Sequence, residues 1–240
     1  MPLQKLSDVL TQRKAVLRFS GCAGVSGKKL VNCSDFELRQ GCISVLMGSS
    51  GSGKTVLCKT LAGLLPPLSG SVQKETGVLV RLLLQNTRGF PWRSMLENIL
   101  LGVTLSGHRI TEEDKQRAAE LISEIGLKGH ENKMPSQLSG GMLRRMLIAR
   151  SLMSAPSILI LDEPFSGLDE NNRDNIREEL KHLASNTDIT ILVVTHEVAD
   201  AVDLMAQVWI INEDGTLIRK PFADPVKNPS TIVDINQNRH

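Results

Sequence analysis

The sequence predicts an α/β fold: a mainly parallel sheet flanked by helices, an antiparallel β lobe ahead of it and a helical lobe inserted within it. Three observations lead there. Strand-like apolar runs alternate with helical patterns over most of the chain, as in a parallel sheet covered by helices. The apolar run 43–47 delivers the chain into Gly48-Ser49-Ser50-Gly51-Ser52-Gly53-Lys54-Thr55, which fits the phosphate-binding pattern G-x-x-x-x-G-K-[ST] between a strand and a helix. Over residues 86–153 the strand signal stops, and helical spacing takes over until the next buried strand.

Taken in order, 15–19 and 30–38 are strand-like with no helix between them. Gly21, Gly24 and Gly27 punctuate the join, so this pair is expected to be antiparallel. Further strands are expected at 43–47, 77–85, 157–162, 189–195 and 207–211, with apolar residues at helical spacing over 56–64. Within the helical stretch, Thr111 followed by Asp114 resembles an N-terminal cap; Ala118, Leu121, Ile122 and Ile125 share a face, and Gly126 stands where a helix stops. Ile176, Leu180 and Leu183 mark another amphipathic helix. The chain reads as a single domain over 1–240. Residues 1–85 and 154–220 make the core with its β lobe, 86–153 the helical subdomain, and 221–240 a tail rich in Pro, Asn and Asp.

Composition narrows the function. A net charge of +2, from 28 basic and 26 acidic residues, is near balance, and Lys28-Lys29 and Arg144-Arg145 are only pairs. No basic block of the kind that binds nucleic acid is present, so no nucleic-acid partner is expected. The longest apolar runs, 158–161 and 189–194, fall far short of the roughly 20 residues that cross a bilayer. Residues 1–10 lack a basic start followed by an apolar stretch, so the expected location is intracellular. Cys22, Cys33, Cys42 and Cys58 match no zinc or redox spacing and read as packing thiols. Tyrosine is absent and aromatic content is 3%, which leaves few rings to stack on a base.

The loop 48–55 carries the clearest chemistry. Its glycines let backbone amides turn inward; with the positive end of the following helix and the Lys54 ammonium, they form a cradle for β and γ phosphates. Thr55 is placed to put its hydroxyl on magnesium. Downstream, Ile158-Leu159-Ile160-Leu161-Asp162-Glu163 is an apolar strand ending in two carboxylates. Asp162 at the strand tip suits hydrated magnesium, and Glu163, turned onward before Pro164, suits a group that orients or deprotonates water.

One further motif points to a family. Leu138-Ser139-Gly140-Gly141-Met142, before a helix carrying Arg145, Ile148, Ala149 and Arg150, resembles the signature of the ATP-binding cassette (ABC) ATPases. The family's other parts follow in order. Gln85 resembles the Q-loop glutamine, Ser166-Gly167-Leu168-Asp169 the D-loop, and His196 in Thr195-His196-Glu197 the switch histidine; the likeness spans about 15–211. It implies ATP and Mg2+ as ligands and a head-to-tail homodimer of cassettes. Each ATP would lie between the phosphate loop of one copy and Ser139, Gly140 and Gly141 of the other, with Asp169 at the same interface. It implies that His196 contacts the γ-phosphate and helps hold Glu163 and water, and that Gln85 senses magnesium and relays closure to an integral-membrane permease.

The chain departs from the family pattern in places. Val56 stands where a second hydroxyl is common, so one hydrogen bond to the α-phosphate is lost, a net of about 0.5 to 1.5 kcal/mol. The position of the adenine-stacking aromatic falls on Val25, with Phe19 the nearby ring that could substitute. If neither stacks, GTP should serve nearly as well as ATP. Arg144 replaces a common glutamine, with no assigned effect.

The segment from Gly89 to Ile99, with Phe90-Pro91-Trp92, resembles the region after the Q-loop in nitrate, sulfonate and taurine importer ATPases, and Met142 is also common there. It reads either as the groove for a permease coupling helix or as a Trp buried in the helical lobe. The resemblance implies import of a small, anionic solute through a separate permease, with a solute-binding protein as a further partner. It also implies a peripheral position on the cytoplasmic face of the inner membrane. A lipid or solute exporter, or a soluble non-transport ABC protein, is the alternative.

Overall fold

A computed structural model of the chain describes residues 13–105 and 107–220. The tail at 221–240 lies outside them, as does most of the segment before β1. Two sheets form the frame. The first is antiparallel, in the order β2-β1-β4, from β1 (Ala15–Val25), β2 (Lys28–Arg39) and β4 (Ser69–Lys74). Its β1–β2 hairpin is the expected antiparallel pair.

The second sheet has six strands in the order β5-β6-β7-β3-β8-β9. They are β3 (Ile43–Gly48), β5 (Val80–Leu83), β6 (Ile158–Asp162), β7 (Thr190–Val194), β8 (Gln207–Ile211) and β9 (Leu217–Lys220). Its pairs are parallel as far as β8, and β9 returns antiparallel. Strand β6 is buried along its whole length, the state of a strand covered on both faces, and its uninterrupted apolar run reflects that.

The two faces have separate cores. Side chains alternate across β3, with Leu46 on one side and Val45 and Met47 on the other. Leu46, Ile160, Leu192 and Val194 pack against the antiparallel sheet and helix α1 (Lys54–Leu61). Val45, Leu159, Leu161 and Val193 pack against a helical layer. That layer contains α2 (Met95–Thr104), α3 (Glu112–Glu124), a 3-10 turn (Pro135–Gln137), α4 (Gly140–Leu152) and α5 (Glu170–Asn186); a short α6 (Val198–Asp203) follows β7.

Among the described residues, every regular element between β5 and β6 is helical. The cap expected at Thr111 is a full capping box with Asp114, and Gly126, at φ 64°, sits just past the end of α3. Cys22, Cys33, Cys42 and Cys58 are all buried free thiols, as their spacing predicted. Among the described residues no helix is long and apolar enough to cross a membrane.

Candidate nucleotide site

Four adjacent parallel strands end side by side, and each delivers one motif. Gln85 follows β5, Asp162 closes β6, His196 follows β7 and the loop 48–55 follows β3. The edge beyond the C-terminal ends of parallel strands is where open α/β sheets bind ligands. Residues far apart in sequence therefore meet here because their strands are neighbours.

The loop is built to receive an anion. Gly53 caps α1 with φ 100°, a left-handed conformation that glycine adopts without penalty, and a Cβ there would sit 2.8 Å from a Val31 methyl. The first turn of α1 carries no acidic residue to oppose a phosphate. Ser52 has a buried hydroxyl with no protein partner, and a side chain at Gly51 would meet nothing within 4 Å, so this part of the loop is open to a ligand. Lys54 donates to the loop's own carbonyls, Gly48 O at 2.8 Å and Ser49 O at 2.9 Å. Burial lowers its pKa against the opposing pull of Glu163 and Asp162, so both carboxylates lie close enough to act on it.

Thr55 and Asp162 meet across the sheet: Thr55 Oγ1 donates to Asp162 Oδ2 at 2.8 Å. A hydroxyl and a carboxylate are hard oxygen donors suited to magnesium. Among the described residues no cluster of three or more His, Cys, Asp or Glu side chains could cage a metal. Magnesium in phosphate sites takes most of its ligands from substrate and water, so a sparse protein contribution fits it.

Glu163, one residue on, has φ 50°, a left-handed conformation costing a non-glycine residue about 1 to 2 kcal/mol. Its Oε2 lies 3.1 Å from His196 Nδ1. Gln85 is exposed, and its amide donates to Ser166 Oγ at 3.3 Å, which joins the loop after β5 to the turn after β6.

The glycine-rich start of α4 lies beside a different element. Ser139 caps α4 by accepting from Met142 N, and Ser139 and Gly140 are both exposed. Gly141 packs so closely on Asn172 of α5 that a Cβ would approach its Oδ1 to 2.2 Å. Asn172 is in turn held by Asp169, the N-cap of α5, whose carboxyl is pulled below the usual range by hydrogen bonds from the Asn172 backbone and amide. Gly141 is thus linked to Asp169 through Asn172, and among the described residues no hydrogen bond joins Ser139, Gly140 or Gly141 to the phosphate loop.

Two expectations are corrected. Phe19 is 1% exposed in the core beneath the antiparallel sheet, so its ring cannot stack on a base. Trp92 is 70% exposed, packed edge to face on Phe90 at 5.5 Å, so it is not the core of the helical layer. Val25 is 44% exposed on the β1–β2 hairpin, and Val56 lies partly buried in the first turn of α1.

The sequence reading missed a buried ion network behind the site. Arg177 of α5 donates to Asp200 Oδ1 through Nε at 3.0 Å and Nη2 at 2.8 Å, while Asp200 Oδ2 accepts from Thr195, the residue before His196. Burial alone would lower the Arg177 pKa, but the hydrogen bonds it donates to Asp200 and Glu170 reverse the balance and raise it. A helix-borne Arg and Asp without motif spacing gave no sign of this role.

A phosphate loop, a carboxylate pair and a histidine at the C-terminal edge of a parallel sheet define a nucleotide-hydrolysing fold of the phosphate-loop class. Residues 31–166 match the model of the ABC transporter family. The chain is 35% identical over 197 residues to the aliphatic sulfonates import ATP-binding protein SsuB 1 of Rhodococcus jostii (strain RHA1), covering 80% of this chain and 77% of that one. It is 35% identical over 209 residues to the bicarbonate transport ATP-binding protein CmpC of Synechococcus elongatus, covering 84% of this chain but 32% of that longer one. A crystal structure of the ADP conformation of an ATP-binding cassette of an ABC transporter superposes with a TM-score of 0.80 at 20% identity, over 94% of this chain and 99% of the other. The chain belongs to the ABC transporter family and is an ATP-binding cassette ATPase.

Proposed function

We propose that the chain energises import of a small anionic solute through a separate integral-membrane permease. The observation that carries its catalytic part is the meeting of Thr55 with Asp162 and of Glu163 with His196 at neighbouring strand ends. The loop Gly48 to Thr55 holds the phosphates, Thr55 and Asp162 hold magnesium, and Gln85 lies at the same edge to sense it. Bound magnesium supplies charge neutralisation at the β and γ phosphates. Glu163 orients and deprotonates water, and His196 fixes the carboxylate from 3.1 Å.

A head-to-tail dimer supplies what one chain lacks. Ser139 and Gly140 sit at the exposed start of a helix with Gly141 buried against Asn172, and backbone amides there suit a γ-phosphate held by the other copy, with Asp169 bonded to Asn172. Residues 86–153 act as the helical subdomain that carries this surface. The permease docks at Phe90 to Trp92. Asn98, buried, bonds the backbone of Phe90 at N and O, together with Arg93 O and Ser94 O, so Trp92 is presented on a pinned loop.

Sulfonate and bicarbonate, both small anions, stand in the names of these relatives and support the solute class, and the word import in the sulfonate relative's name supports the direction. A cytoplasmic position against the inner membrane and a solute-binding protein complete the reading. Capture of the tagged full chain from native membranes tests it. A polytopic permease should co-purify from wild type and be lost with Trp92→Ala, and its substrate should be a small anion. Recovery without any integral-membrane protein would contradict the reading.

A further inference from the structure

Arg144 reaches out of α4 to the turn that carries Glu163. It is buried, at 8% exposure. Its Nε donates to Pro164 O at 2.9 Å, and its Nη2 donates to Asp162 O at 3.4 Å and to Glu163 O. One guanidinium therefore holds three consecutive carbonyls of a single turn. Its donors are fixed in one plane, so the carbonyls are held in one mutual orientation. Burial works against its charge, and the fields of Asp162 and Glu163 work for it. None of its hydrogen bonds goes to a carboxylate, so both acids stay free for Thr55 and His196.

The middle carbonyl belongs to Glu163, whose left-handed backbone persists only where the surroundings impose it. Two other contacts define that backbone: Glu163 N donates to Val194 O at 3.1 Å, and Ser166 N donates to Glu163 O at 3.3 Å. Arg144 adds side-chain hydrogen bonds that link this turn to the helix begun by Ser139.

We propose that Arg144 is a positioning residue for ATP hydrolysis: by clasping the Asp162 to Pro164 carbonyls it sets the direction in which the Glu163 carboxylate leaves the backbone, toward His196. This rests on the reading of Glu163 as the group that activates water. Because the hydrogen bonds of Arg144 go to backbone carbonyls, its loss acts on turnover rather than on nucleotide affinity. Because it acts through Glu163, its loss has no effect once that carboxylate is gone.

Steady-state ATP hydrolysis by the purified full chain tests this in Arg144→Met, Arg144→Gln, Glu163→Gln and the double variant Arg144→Met/Glu163→Gln. Arg144→Met, which keeps bulk without donors, should lower kcat about tenfold or more with KM for ATP changed less than about threefold. Arg144→Gln, which keeps one amide donor, should recover part of the loss. The double variant should match Glu163→Gln alone.

An unchanged kcat in Arg144→Met, a rise in KM at constant kcat, or multiplying losses in the double variant would overturn the proposal. If circular dichroism shows Arg144→Met to be unfolded, Arg144→Gln carries the test through the same split between kcat and KM. Unfolding of both would also overturn the proposal, making Arg144 a structural clamp alone. Near-normal turnover in Glu163→Gln would remove the reading of Glu163 itself, a result distinct from a silent Arg144 beside an inactive Glu163→Gln.

Discussion

Val25 is exposed on the β1–β2 hairpin while Phe19 is locked in the core, and we propose that no ring stacks on the base. Without aromatic stacking the base contributes little to discrimination, and the phosphates carry binding. GTP should therefore support turnover within about threefold of ATP at saturation, measured by phosphate release under identical conditions; a preference for ATP of tenfold or more would contradict this. At this scale the sequence was legible wherever spacing encodes chemistry. The placement of Lys54, Thr55 and Asp162 at one sheet edge was readable because a strand end and a glycine-rich loop fix where such residues stand. Arg144 and the Arg177–Asp200 pair were not, because only the fold brings Arg144 to its backbone carbonyls and Arg177 to the buried Asp200. Phe19 misled because a ring near a loop looks the same in sequence whether it points to solvent or into a core.

At the level of elements, the strands found from the sequence are those with long apolar runs, and the two missed are polar or short. β4 (Ser69–Lys74) is an exposed edge strand with Val72 as its sole large apolar residue. β9 (Leu217–Lys220) returns from the Asp214-Gly215 turn, a recognisable hairpin signal, but it is too short to announce itself by periodicity.

The contact between α4 and α5 makes a sharper prediction. Glu179 of α5 stands 3.6 Å from Arg145 of α4, and each keeps a buried polar atom without a partner. Burial pushes the Glu179 carboxyl up to about 7, which the nearby Arg145 only partly opposes. The ordinary carboxyl value is 4.5, so between these values the folded chain holds a proton that the unfolded chain has released. The stabilisation is therefore complete below about 4.5 and is lost as pH rises through about 7. At about 1.4 kcal/mol per unit, the loss is on the order of 3 kcal/mol. Wild type should lose roughly 5 to 10 °C of Tm between pH 5 and 8 relative to Glu179→Gln, read by calorimetry. Parallel Tm curves would show that Glu179 is not the source.

Over the whole molecule, the active-site groups split into two surfaces. The phosphate loop, Thr55, Asp162, Glu163 and His196 gather at one sheet edge, whereas Ser139 and Gly140 are exposed at the start of α4, where Gly141 packs on Asn172 of α5. We propose that a second copy turned head to tail completes a site divided in this way, with the shared γ-phosphate charge holding the two together. Stopping hydrolysis should then stabilise the closed pair.

The most direct measurement is the mass in solution of Glu163→Gln by light scattering, with and without saturating Mg-ATP. The chain has a mass of 26.3 kDa. The mass should double when ATP is added, and turnover should fall about 10²-fold relative to wild type. A mass that stays at one chain while nucleotide binding is confirmed, or near-normal turnover, would contradict the account.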